Sequence, residues 1–220
     1  MIRLDRQSRK YFDYARKRME SNGIRFIPVD APSLTHNGFP CMGLFYEVYG
    51  SDHIAELQIA VGSKREEWFP LFVHETSHME QFLESSPYWH DVYVVHKAEK
   101  VEGIDILDRF VHGEEFPQEF LWRAMEGSLA IEWDCERRTL ATLDKWALPY
   151  DTEVYAQRAN AYLYTYPMVL RTRKWPSEGR SAYSLPQVWS RLPKTIRPLY
   201  RYHNVPKKTQ ALYLKHCYDT

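Results

Sequence analysis

Hydrophobic and polar positions along this chain follow two alternating periods. Over the first twenty residues Leu4, Tyr11, Tyr14, Ala15 and Met19 recur at helical spacing, and Ser21-Asn22-Gly23 supplies a stop. Residues 24–41 hold three prolines and several turn formers, and they read as a loop with at most a short strand. A period of two takes over at Leu44–Tyr49 and again at Ile54–Val61. The turn Gly50-Ser51-Asp52 between them predicts a β-hairpin, which Gly62 closes. The helical period returns from Glu66 to about Glu84 and ends at Ser85-Ser86-Pro87. Its start is open, because Ser63 with Glu66 resembles a capping box whereas Pro70 prefers a first helical turn. Residues 88–117 look irregular apart from a strand at Val92–Val95. A long helix is expected from about Gln118 to Trp146, ended by Pro149. Another begins after Asp151, carries Tyr155, Tyr162 and Tyr166, and stops before Pro167.

Composition narrows the class. The chain has 220 residues, 44% hydrophobic and 26% charged, which suits one globular domain with an appendage and excludes a wholly disordered chain. The three cysteines (Cys41, Cys135, Cys217) are far apart and form no CxxC pair. They read as reduced thiols, neither a disulfide framework nor a cysteine-built zinc knuckle. The N-terminal stretch is charged throughout, unlike a secretory signal, and no apolar run approaches the ~20 residues of a membrane span. The expectation is a soluble cytoplasmic protein with no membrane partner.

The strongest chemical signal is His74-Glu75-Thr76-Ser77-His78. On a helix, two histidines four residues apart project from one face and can converge on one zinc ion. The glutamate between them then reaches the water that the ion activates. Zinc lowers the pKa of such a water towards about 7, so Glu75 can take its proton at neutral pH. A third ligand must come from elsewhere. The continuation has Gln81 and Glu84 where the metzincin pattern needs Gly and His, and Glu84 lies about 240° round the helix from His78. The better candidate is on the long helix, where one face holds Leu121, Met125, Ser128, Glu132, Cys135, Thr139 and Leu143. Glu132 is the only charged group there, and a buried carboxylate is costly unless it is paired or metal-bound. The alternative partners for it are Arg123 and Arg138, and Glu126 and Glu136 stand in reserve as ligands. A di-iron site is disfavoured, because no second Glu-x-x-His follows on the long helix.

With HExxH on one helix and a glutamate on a second, the chain resembles the gluzincin metallopeptidases, over roughly residues 44–146. Glu132-x-x-x-Glu136 is similar to their E-x-x-x-D pattern, with Glu in place of Asp, and to the E-x-x-A-[DN] of the small ImmA/IrrE-type members. The resemblance implies an α+β, zincin-like fold with a small sheet or hairpin packed on the HExxH helix and a second long helix. It implies Zn2+ on His74, His78 and Glu132, Glu75 as general base, Glu136 as a supporting carboxylate, and a peptide or protein substrate. It also implies an edge strand, Leu57–Val61 or Leu44–Tyr49, that pairs with the substrate. His112, Tyr155 and Tyr162 are candidates for stabilising the oxyanion. The chain is also similar to HExxH proteins encoded by tailed bacteriophages, through Glu132–Arg138 and Ala159-Asn160-Ala161-Tyr162-Leu163. That second resemblance implies a host-cytoplasmic or virion location, and it opens the alternative of a non-catalytic, metal-holding assembly protein of the phage particle.

Charge changes the picture last. The chain is neutral overall, yet residues 167–220 hold eleven Lys and Arg against two acids, a net of +9. Residues 1–25 are +5, which leaves −14 for residues 26–166. The expected organisation is therefore a metallopeptidase-like domain at 1–166, opening with a basic helix at 1–25, and a basic, Pro- and aromatic-rich extension at 167–220. Such an extension suits protein or nucleic-acid contact, or docking on its own acidic domain, and it supports the alternative of a nucleic-acid-associated factor.

Overall fold

The computed structural model describes residues 4–36 and 39–219. In chain order the elements are α1 (Arg6–Ser21), β1 (Ile24–Val29), β2 (Leu34–His36), β3 (Phe39–Cys41), β4 (Gly43–Glu47), β5 (Ala55–Ala60), α2 (Arg65–Leu83), α3 (Pro87–Asp91), β6 (Tyr93–His96), β7 (Glu99–Glu102), α4 (Gly103–Val111), α5 (Gln118–Lys145), α6 (Thr152–Thr172), α7 (Pro186–Trp189) and α8 (Lys207–His216). The fold class is α+β. One mixed sheet has the order β1-β5-β4, and two short hairpins pair β2 with β3 and β6 with β7. Among the described residues no helix is long and apolar enough to cross a membrane.

Packing divides the chain into two compact units, Met1–Glu84 with Arg138–Tyr150, and Ser85–Arg137 with Asp151–Thr220. This division falls elsewhere than at residue 167, which lies inside α6.

In the first unit Asp5 caps α1 by accepting from the Gln7 and Ser8 amides, both at 3.0 Å. The buried stripe of α1, Tyr11, Phe12, Ala15 and Met19, joins Phe26, Phe69, Phe72 and Trp146 in an aromatic core. Its rings meet mostly edge to face, as Tyr11 does with Trp146 at 5.4 Å and Phe12 with Phe26 at 5.6 Å. Strand β1 corrects the loop expected at residues 24–41. It pairs in parallel with β5, Ile24 opposite Ala55 through Val29 opposite Ala60. Pro28 is tolerated because β1 is an edge strand. The expected hairpin is β4 against β5, with Phe45 opposite Leu57. Helix α2 starts after Lys64 without a side-chain cap, so Ser63 does not close a capping box, and Pro70 lies inside the helix.

The β4–β5 turn is clamped by His53. Its Nδ1 lies 2.8 Å from Asp52 Oδ1 and its Nε2 2.8 Å from Glu56 Oε1. Glu56 also accepts from the Tyr46 hydroxyl on β4, so the clamp spans both strands. Both ring nitrogens face carboxylates, which suits the imidazolium with two N–H donors. The hydrogen bonds to Asp52 and Glu56 raise the His53 pKa above its ordinary value. A group whose folded pKa is raised contributes stability at low pH and loses it as pH rises through that pKa. We therefore expect an NMR titration to place His53 above about 6.5. Asp52→Asn and Glu56→Gln should each move it back down, and the hairpin amides should lose exchange protection as His53 deprotonates.

The second unit is built on α4, α6 and the start of α5. Leu107, Met125, Leu129, Tyr164 and Tyr166 share one buried core with Val188, Leu192, Tyr202, Val205, Tyr213 and Cys217. The segment 167–220 therefore contributes buried residues to the core of this unit. Helix α6 runs through Pro167 to Thr172, where Arg173 takes a left-handed turn at φ 52°. Its buried flanks, including Tyr164, Tyr166, Met168 and Val169, outweigh the ~3 kcal/mol that a mid-helix proline costs. Helix α4 corrects the irregular reading of residues 88–117. It crosses α5 so closely that a Cβ on Gly103 would stand 2.3 Å from the Ala124 carbonyl oxygen.

Candidate metal centre

The middle of α2 is buried on nearly every side, with Phe69, Phe72, Val73 and Met79 enclosed. Hydroxyl bonds fix its rotation. Thr76 and Ser77 both donate to the Val73 carbonyl, at 2.8 and 3.0 Å. Each then accepts from outside the helix, Thr76 from Tyr11 of α1 at 2.5 Å and Ser77 from Thr139 of α5 at 3.0 Å. With α2 held this way, His74 and His78 share one face, their ring centroids 4.8 Å apart and their planes at 83°. His78 Nδ1 lies 2.8 Å from Oε1 of the buried Gln81. An Nδ1–H donated there puts the lone pair on Nε2, the tautomer that a metal ligand needs.

On α5, Cys135 and Glu132 lie one and two turns before Thr139 on the same face. The donor atoms of His74, His78, Glu132 and Cys135 all fall within 4.8 Å of one another. Two imidazoles, a carboxylate and a thiol form a donor set that can hold a metal ion. Tetrahedral zinc, with bonds of about 2.0–2.3 Å, sets its ligand atoms about 3.3–3.8 Å apart. The donor types, two imidazoles, a carboxylate and a thiol, suit such an ion. The sequence reading placed Cys135 on this face and treated it as an inert reduced thiol. The Glu132-x-x-Cys135 spacing, which brings two potential donors to adjacent turns, was the signal for its place in this group.

Glu75 is 6% exposed and turns towards the sheet. A Cβ on Gly43 would stand 2.9 Å from both Glu75 Cγ and Oε1, so the first residue of β4 is backbone laid against this carboxylate. Burial, and then the charge of Glu75, push the Cys41 thiol up, which places Cys41 on the same side. Of the two strands considered for substrate, Leu57–Val61 is excluded as an open edge, because β5 is hydrogen-bonded on both sides, to β1 and β4.

The remaining candidates are distributed as follows. Glu136 is buried and accepts from the Tyr155 hydroxyl at 2.5 Å. The Tyr162 and Tyr166 hydroxyls are 2.9 Å apart, and burial, then the charge of Glu132, hold both phenols well above the usual tyrosine range. His112, at the end of α4, is exposed and bonded to Asp108, its Nδ1 2.9 Å from the main-chain oxygen. Glu126 lies 3.7 Å from His203 Nε2. Neither Glu126 nor Glu136 belongs to the donor group. Arg123 pairs with Glu119 at 2.6 Å and Arg138 with Glu84 at 2.7 Å. No family model, curated protein or solved structure matches the chain.

Zinc titration against a competing chromophoric chelator tests the group. We expect one high-affinity equivalent in the unaltered protein and none in the His74→Ala, His78→Ala double variant. Gln81→Ala, which frees the His78 ring, should weaken binding about 10- to 100-fold. Zinc held equally well by the double variant would place the metal elsewhere.

Proposed function

We propose that this protein is a zinc-dependent peptidase, with His74, His78 and Glu132 as the metal ligands. The observation that carries the reading is the convergence of the two HExxH imidazoles with a carboxylate of a second helix, while Glu75 faces the start of an edge strand. A bound zinc ion supplies Lewis acidity, polarising a carbonyl and acidifying a water. Glu75 takes the proton from the attacking water and returns it to the leaving amine. Glu136, tied to Tyr155, supports the site from behind the ligands. Tyr162 remains a protonated phenol beside Glu132 and can donate to charge that develops on the carbonyl oxygen. His112 takes no part, since its ring is exposed and engaged with Asp108. As the outer strand of its sheet, β4 would align an extended peptide by main-chain hydrogen bonds.

A second reading rests on Cys135. Four protein ligands make a closed tetrahedral site, the usual form of a structural zinc. The metal would then lock α2 to α5 in a non-catalytic assembly protein.

Two variants of the zinc-loaded protein, assayed on quenched fluorescent casein, separate the readings. A peptidase should lose about 10²- to 10⁴-fold in rate in Glu75→Gln with zinc retained, and should keep its activity in Cys135→Ser. The structural reading expects no cleavage by any variant, with loss of zinc and a lower melting midpoint in Cys135→Ser. Gly43→Ala gives an independent check, because its methyl group displaces the Glu75 carboxylate without touching a ligand. We expect hydrolysis to fall at least tenfold with zinc content unchanged.

A further inference from the structure

Residues 190–201 form a strap without regular structure apart from a single 3-10 turn at Leu199–Arg201. Buried polar groups hold its main chain. Gln157 Nε2 donates to the carbonyls of Ser190 and Leu192, both at 3.0 Å. Asn160 Nδ2 lies 2.9 and 3.1 Å from those of Pro193 and Thr195. The Trp133 indole donates to the Arg197 carbonyl at 2.8 Å. The Tyr202 hydroxyl, which accepts from the Arg197 amide at 3.1 Å, donates to Asn160 Oδ1 at 2.5 Å. Asn160 and Tyr202 are fully enclosed. Burying such groups is worthwhile only when each finds a partner, and here the partners are the strap's inward carbonyls and one amide.

The outward side is basic and aromatic. Arg191, Lys194, Arg197 and Arg201 are exposed, and the Tyr200 ring is 60% exposed. Three guanidinium groups lie over rings in and beside the strap: Arg201 over Tyr200 at 5.1 Å, Arg137 over Trp133 at 4.5 Å and Arg158 over Trp189 at 5.3 Å. Burial pushes the Tyr164 phenol up while the charges of Arg197 and Arg201 both pull it back, so these two side chains gather on one side. Lys194 is neutralised by Glu153 at 2.7 Å. Among the described residues no ion pair is recorded for Arg137, Arg158, Arg191, Arg197 or Arg201.

We propose that this strap, with Arg137 and Arg158, binds single-stranded nucleic acid, its guanidinium groups on the phosphates and one base stacked on Tyr200. A guanidinium lying on a ring is held in place and still offers its N–H edge to a phosphate. The irregular strap has no helix to lay in a major groove, so duplex readout is disfavoured. An exposed ring flanked by cations matches an unstacked base joined to phosphates. An acidic protein surface needs the cations but not the ring.

Fluorescence anisotropy of the full zinc-loaded chain with labelled oligo-dT and oligo-rU of about 20 nucleotides tests this. Binding should weaken about fifty-fold between about 50 and 200 mM salt if about four phosphates are contacted. Arg197→Glu with Arg201→Glu should reduce affinity at least tenfold. Their side chains are exposed and the strap's hydrogen bonds are main-chain, so the fold is expected to survive, as circular dichroism would verify. Tyr200→Ala should weaken binding about fivefold or more while leaving the salt dependence unchanged. No anisotropy change at about 50 mM salt, affinity unaffected by the double reversal, or a preference for poly-glutamate that ignores Tyr200→Ala would each overturn the proposal.

Discussion

Helix α2 is buried while carrying two imidazoles and a carboxylate, and the neighbouring architecture answers to that cost. His74 is 9% exposed, and α5 carries Glu132 and the buried Cys135 and Glu136. An ionised side chain taken out of water costs several kcal/mol unless something charged or strongly hydrogen-bonding replaces the solvent. Two replacements are built in. Glu136 receives the Tyr155 hydroxyl, and Glu132 faces the paired phenols of Tyr162 and Tyr166, which it helps keep protonated. A divalent cation among the four donors would be the third. It would convert mutually repelling groups into a coordination sphere and make metal binding part of the stability of the fold.

Rotation of α2 decides whether this chemistry is possible. One residue of slip turns a helix by about 100°, enough to carry both histidines off their face. The bonds from Tyr11 to Thr76 and from Thr139 to Ser77 grip the helix from two sides at adjacent residues, between the two histidines. The two intervening positions of the HExxH pattern therefore do positional work: their hydroxyls fix the angle at which the flanking residues point. Gln81 adds the tautomer of His78, and Gly43 leaves room for Glu75 against the sheet. All of these residues are small or neutral, and each one constrains a charged neighbour.

The parts visible in the sequence were those whose periodicity is local. The β4–β5 hairpin, α2 and the long α5 each repeat their pattern over enough residues to be read directly. What was missed depends on tertiary packing. Strand β1 contains Pro28 and takes shape through its distant parallel partner β5 and the packing of Phe26 on Phe12 and Phe72. Helix α4 is nine residues long and looked irregular between turn-like segments, although Ile106 and Leu107 are fully enclosed. Pro167 read as a stop and is carried through by burial on both flanks. Cys135 was discounted because cysteine was weighed as cysteine pairs, whereas its thiol lies within 4.8 Å of donor atoms of two histidines and a glutamate. The hydrogen bond that Glu136 accepts from Tyr155 joins residues that no spacing rule links.

Overall neutrality conceals how the charge is used. The +9 of residues 167–220 is partly consumed inside its own unit. Arg173 reaches Glu115 and lies over Phe110, Lys194 meets Glu153 and Arg180 meets Asp219. Those pairs lie at the surface and cancel charge there, while Arg201 of the strap and its neighbours Arg137 and Arg158 lie on rings instead of carboxylates. A ring fixes a cation without cancelling its charge, and a carboxylate cancels what it fixes. The same composition therefore yields both a folded C-terminal segment and a basic surface. Which role each cation takes follows from what lies beside it: acids for Arg180 and Lys194, aromatic faces for Arg137, Arg158 and Arg201, and one of each for Arg173.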